Sequence, residues 1–240
     1  MISAEERLKV SNYLLSKKLP LDILMEVEDH FLAQISELME KDFLDFETAF
    51  SKVKILWSKE LSFPKYNIQF NLNDTTYFVR KINNDLFWSV MKKSLMYSIL
   101  FLLVFLMPCY MISVESFGYF GLIFLILIFT LPLINYLKHR KDFKLVKQYD
   151  NYILTFYQNY VVLAVSGMSF FIQILLRFKN TISYLLFEFT NGNFSWIALI
   201  GVFGCFGFIF CSVFTILSQK KYLHQINIVK PYLKYLRASS

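Results

Sequence analysis

Residues 118–137 read GYFGLIFLILIFTLPLINYL. The stretch holds no Asp, Glu, Lys, Arg or His. A helix of about 20 such residues covers the ~30 Å hydrocarbon core of a bilayer. The flanks are polar and unlike each other. Glu115 precedes the stretch, whereas Lys138, Arg140, Lys141, Lys144 and Lys147 follow it. Three further stretches, 94–113, 153–176 and 196–217, have similar length and also lack charged residues and histidine. The composition agrees, with 56% hydrophobic and 18% charged residues. A soluble domain carries about 45–50% and about 25%.

The loops orient these spans. The tail after residue 217 carries Lys220, Lys221, Lys230, Lys234 and Arg237, while loop 177–195 has only Arg177 and Lys179 as cations. The positive-inside rule then places both termini and the middle loop in the cytoplasm. A multi-pass protein of a bacterial cytoplasmic membrane is expected, with the bilayer as its first partner. No cleavable leader is expected, because the first 20 residues lack a continuous apolar core.

Ahead of the spans lies a polar segment of the opposite charge. Residues 1–62 hold eight Lys and Arg against twelve Asp and Glu, although the whole chain is +7. The basic excess belongs to the membrane part, so no nucleic-acid partner is expected. Ser3-Ala4-Glu5-Glu6 has capping-box spacing. Leu8, Leu14 and Leu15 give the first helix an apolar side, and Pro20 ends it. Leu24, Val27, Phe31, Ile35 and Leu38 recur at steps of 3 or 4 in a second helix. Asp45 is the N-cap of a third, whose stripe is Phe46, Phe50, Val53 and Trp57. The expected fold is all-α: a four-helix transmembrane bundle behind an N-terminal cytoplasmic three-helix domain.

Between them, 63–93 reads as a linker. Tyr66, Ile68, Phe70 and Leu72 alternate with polar residues, and Thr76 to Val79 would return as a second strand. An extended linker is the other reading. Asn84 or Asp85 would cap a juxtamembrane helix running into the first span, and 218–240 reads as a basic cytoplasmic tail.

Chemistry-bearing residues are few. His30 lies four residues from both Glu26 and Gln34, but two ligands do not make a metal site. The polar side of helix 2, with Glu26, Asp29, His30 and Glu37, is the candidate surface for a cytoplasmic protein partner. Gln158, Asn159 and Gln173 are polar groups within span 3; amides in lipid are expected to face other helices. Gly201, Gly204 and Gly207 recur every third residue in span 4 and let another helix approach, from the same chain or from a second copy in a homo-oligomer. Cys109, Cys205 and Cys211 lie in apolar runs and read as packing residues. No phosphate loop, nucleophile elbow or paired metal ligands occur, so neither enzymatic activity nor a cofactor is expected. Two functions follow, a signalling or regulatory membrane protein and a transport or channel component.

One segment is similar to a known family. Leu19-Pro20-Leu21-Asp22-Ile23-Leu24-Met25-Glu26-Val27-Glu28-Asp29-His30-Phe31 resembles the opening of a HAAS-type domain, and Phe46-Glu47-Thr48-Ala49-Phe50 resembles its third-helix entry. The family's glycine before the third helix is replaced here by Lys41-Asp42-Phe43. The resemblance covers residues 1–62. It implies a short helical domain in front of a multi-span region, often alongside PadR-type regulators, with a sensing or signalling role.

Overall fold

The computed structural model describes residues 2–63, 76–145, 154–155, 158–163, 168–193 and 195–235. Those residues are helical or irregular, with no strand among them. They divide into two compact units. The first comprises Met1–Phe87, Leu145–Phe156 and Gln225–Ser240; the second comprises Trp88–Lys144 and Tyr157–His224.

The first unit opens with α1 (Ala4–Leu15), α2 (Leu21–Lys41) and α3 (Phe46–Leu56). Ser3 and Glu6 form a reciprocal capping box at the start of α1. Each thereby satisfies a backbone N–H that the helix cannot. Asp45 caps α3 by accepting from Thr48 N–H at 3.3 Å. Lys18, at φ +51°, turns the chain out of α1. Val27, Phe31 and Ile35 of α2 are buried with Phe46, Phe50 and Val53 of α3. The Trp57 ring lies 5.3 Å from Phe31, and its Nε1 donates to Gln34 Oε1 at 2.9 Å. The apolar side of α1 differs from the sequence reading. Val10 and Leu14 are fully buried, whereas Leu8 and Leu15 are exposed. An i, i+4 pair points one way on so short a helix, so Leu8 falls off the stripe.

The first unit does not stop at residue 62. α4 (Tyr77–Leu106) starts where a returning strand was expected. Thr76, wholly buried, accepts from Val79 N–H at 3.4 Å through Oγ1 and so begins the helix well before Asn84. Val79 joins the core, and Phe78 packs edge-on to Trp57. Residues 66–72, the expected outgoing strand, lie outside the described residues.

The second unit holds the apolar lengths. Among the described residues three helices are long and apolar enough to cross a membrane: Tyr77–Tyr110, Val114–Lys138 and Trp196–Val229. The first is α4 with a 3-10 turn at Met107–Tyr110; the second is α5. A short α6 (Arg140–Phe143) follows. The described residues within 153–176, read as one span, are not all α-helical. They contain a 3-10 turn at Gln158–Val162 and the start of α7 (Met168–Arg177), which continues through a π-helical turn at Phe178–Ile182 into α8 (Ser183–Thr190). α9 (Trp196–Val229) runs twelve residues past the expected end at 217.

The core of this unit is aromatic. Phe105, Phe117 and Phe178 cluster within 6.1 Å of one another, and Phe129, Phe171 and Phe208 form a second group. The close backbone approach occurs at Gly121 of α5. A Cβ there would run into the Phe178 ring and stand 3.2 Å from Phe105. Gly118 likewise faces the Lys179 carbonyl at 3.4 Å. On α4 only a narrow stripe is covered: Val90, Ser94, Ser98 and Phe105 are buried, while Met96, Leu100, Leu103 and Val104 are exposed. Ser94 and Ser98 satisfy themselves by donating to the carbonyls of Val90 and Ser94.

Candidate functional site

α2 carries two opposite surfaces. At 100° per residue, Asp22, Glu26 and Asp29 (steps of 4 and 3) fall on one side, with His30 and Glu37 at its margin. Glu26, Asp29, His30 and Glu37 are all exposed. Two of them are partly neutralised by neighbours. Arg7 of α1 lies 4.0 Å from Asp29 and 3.7 Å from Glu28, and Lys41 donates to Glu37 at 2.6 Å. The Lys41 contact holds the Glu37 carboxyl below the usual carboxylate range. Among the described residues Glu26 and His30 carry no such pairing. Across the same domain, Lys9 of α1 pairs with Glu47 of α3.

The amino-terminal end of this acidic side is engaged within the first unit. Asp22 Oδ1 accepts from Thr155 N–H at 2.9 Å, and Asp22 Oδ2 accepts from Gln225 Nε2 at 2.7 Å. Asn83 Nδ2 of α4 donates to the Thr155 carbonyl at 2.5 Å. Thr155, Asn83 and Gln225 are each at least nine-tenths buried. The peptide at Thr155 lies outside regular structure and so has no ladder partners. Side chains of α2 and α4 take both its N–H and its C=O, as a buried peptide requires. One carboxylate therefore joins the acidic helix, the segment between α5 and α7, and the end of α9.

A second polar knot sits inside the second unit. Gln219 of α9 is 1% exposed. Its amide nitrogen donates to the carbonyls of Pro132 at 3.0 Å and Val161 at 3.1 Å, and its oxygen accepts from Asn135 Nδ2 at 2.7 Å. Pro132 has no N–H to give the Ile128 carbonyl, so α5 lacks a rung here. The Gln219 amide ties α5, the 3-10 turn and α9 together at this weak point.

Protein-family models, curated proteins and solved structures give no match to this chain.

The remaining sequence candidates are dispersed. Gly201 faces Leu185 and Ile182 at 3.8–4.0 Å, Gly204 faces Ile174 at 3.9 Å, and Gly207 has none of the described residues within 4 Å of a Cβ built there. The first two give ordinary van der Waals contact. The tight approach belongs to Gly118 and Gly121, which the sequence reading passed over. Gln173, expected to face another helix, is exposed. The side chains of Gln158 and Asn159 lie outside the described residues. Cys109 and Cys205 are buried and Cys211 half-buried, all unbridged. Among the described residues no His, Cys, Asp or Glu side chains gather as metal ligands.

Asp22, Gln225 and Gln219 were missed as a set. Gln219 and Gln225 lie beyond the apolar window, in what read as a tail. A signal was present: Ser212, Thr215, Gln219, Tyr222, Ile226 and Val229 follow at steps of 3 and 4, and all are buried. That is helical periodicity with no change of phase at the end of the hydrophobic run.

Proposed function

We propose that this chain is a non-enzymatic membrane regulator that crosses the bilayer four times. Both termini are cytoplasmic, and the acidic side of α2 docks a basic cytoplasmic protein. The observation that carries the reading is the pair of hydrogen bonds at Asp22. They hold together a residue ahead of α4, one between α5 and α7, and one near the end of α9. Those three positions then share one side of the membrane. The chain makes an even number of crossings between residues 22 and 155, supplied by α4 and α5. It also makes an even number between 155 and 225. One of these is α9, and parity supports a fourth crossing within 156–195. Lys138 ends α5 and Arg140 and Lys141 follow it, which favours the cytoplasmic side.

The regulatory part rests on continuity. α9 is a single helix from Trp196 to Val229, and Gln225 on it holds Asp22. A shift of α9 in the bilayer reaches Asp22 through one hydrogen bond, and Glu26 lies one turn further along α2. A basic partner at Glu26 and Asp29 therefore reads the state of that contact, with charge steering its approach. The HAAS-like pattern of residues 19–31 is in keeping with this role. The alternative, a transport or channel component, draws on the exposed amide of Gln173, which a second copy would cover around a pore.

Two measurements on the full-length protein separate them. A photo-crosslinker at Ala33, exposed on α2, is expected to capture one cytoplasmic protein in native membranes. Vesicles reconstituted with the purified chain are expected to show no ion or solute flux. Flux without a crosslinked partner would favour the pore and overturn the regulator.

A further inference from the structure

The carboxyl end of α5, the short α6 and the adjoining part of α9 are sewn together by buried side chains. The Phe143 ring stacks on Tyr136 of α5 at 5.2 Å and 8°, and on Tyr222 of α9 at 5.9 Å and 25°. Phe143 and Tyr222 are each 1% exposed. The Asn135–Gln219 bond lies one turn below the stack. This packing fixes where the neighbouring cations stand. Lys138, Arg140, Lys141, Lys144 and Lys220 all ride on these three segments, and all are exposed. The one carboxylate among them, Asp142, lies 3.7 Å from His139. The other acids of the second unit, Glu115 and Glu188, sit on α5's first turn and on α8.

Like charges gathered this way repel one another unless an anion lies between them. Among the described residues of these segments Asp142 is the one anion beside the five exposed cations, and the buried aromatic rings hold together the segments that carry them. An apolar track leads to the cluster along α5. Leu127, Leu131 and Ile134 are each more than half exposed, and with Lys138 they follow at steps of 3 and 4 on one side of the helix. From Leu127 to Lys138 is about 16 Å of helix at 1.5 Å per residue, close to the length of a lipid acyl chain.

We propose that this end of the bundle is a binding site for an anionic phospholipid. The phosphate sits among Lys138, Lys141 and Lys220, and one acyl chain lies along Leu127, Leu131 and Ile134. The site rests on the reading of α5 as a membrane span. Basic clusters between helices at the cytoplasmic surface hold anionic headgroups by the same chemistry. The bound lipid relieves repulsion between α6 and α9, so it stabilises the stack around Phe143.

The test uses the purified full-length chain in a non-ionic detergent. Phosphatidylglycerol, phosphatidylcholine or inorganic phosphate is titrated in while thermal unfolding is followed. Phosphatidylglycerol is expected to raise Tm saturably, with neither phosphatidylcholine nor inorganic phosphate matching it. Lys138→Gln with Lys141→Gln and Lys220→Gln should weaken the half-saturating concentration by roughly one to two orders of magnitude. Arg at the same three positions should retain the effect, and neutralising Lys17 and Lys18 should leave it unchanged. Should the triple variant fail to fold, the single Lys138→Gln and Lys220→Gln variants each carry part of the loss. An equal shift with phosphatidylcholine overturns the phosphate site, and an equal shift with inorganic phosphate overturns the lipid. A shift that survives in the Gln variants overturns the location. None of these readouts involves a protein partner, so failure here leaves the docking role of α2 standing.

Discussion

Gln225 of α9 donates to Asp22 of α2 at 2.7 Å, across 203 residues of sequence. Because Asp22 also accepts from Thr155 N–H, truncating it leaves two buried donors without their acceptor. Asp22→Ala is expected to destabilise the protein by about 2–3 kcal/mol, since bonds to a charged group count for more than neutral ones. A double-mutant cycle with Gln225→Ala should give a coupling of about 1 kcal/mol or more. Denaturant titration in micelles measures it. Strict additivity would mean that the pair does not interact.

Phe43 has φ +53° and is 90% exposed. An L-residue in this region is strained by about 1–2 kcal/mol, and glycine is not. This is the loop where the resembled family has a glycine. Phe43→Gly should stabilise the protein by about 0.5–1 kcal/mol, with little packing to lose, and a melting curve would show it.

The glycines of α5 and α9 should respond oppositely. Gly121→Ala sets a methyl group against the Phe178 ring and should cost about 1–3 kcal/mol. Gly207→Ala meets nothing within 4 Å among the described residues and adds helix propensity, so it should be neutral or stabilising by up to ~1 kcal/mol. Equal losses at both positions would contradict the packing of the π-turn on α5.

Acid should act first on the helix starts. Hydrogen bonds from Ser3 hold the Glu6 carboxyl below its ordinary value, and those from Thr48 do the same for Asp45. A depressed carboxyl contributes stability above its unfolded value and loses it as pH falls through the folded one. Amide exchange in the first turns of α1 and α3 should therefore rise as pH drops below the usual carboxylate range. Exchange intrinsic to pH must be subtracted. Glu6→Gln should remove the pH dependence at α1 alone.

Much of the first unit was legible in the sequence, for a local reason. The caps at Ser3 and Asp45 and the stripe Val27, Phe31, Ile35 concern residues within one or two turns, where spacing alone decides the partner. The failures have equally physical causes. Thr76 to Val79 looked like a returning strand, but Thr76 offers a cap and Phe78 has Trp57 to pack on, and neither is visible in a period-2 count. Gln158–Val162 lie in a stretch of high hydropathy yet form a 3-10 turn, because hydropathy is blind to backbone geometry. The Asp22 contacts were beyond reach, since no local pattern pairs residue 22 with 155 or 225.

Topology can be checked directly. Reporter fusions at Ser116 and Gly192 should report the outer side, and fusions at Lys141 and Ser240 the cytoplasm. An outer-side signal at Lys141 would reverse the orientation. Opposite signals at the two termini would remove the fourth crossing.

The most direct test of the regulatory role is co-purification of the full-length protein from its native membrane, with and without Glu26→Lys and Asp29→Lys. Both side chains are exposed, so helicity should be retained and is checked by circular dichroism. A cytoplasmic protein recovered in stoichiometric yield with the wild type, and lost with the charge-reversed variant, is the predicted result. Recovery of the same proteins in the same yield with both would contradict docking through α2.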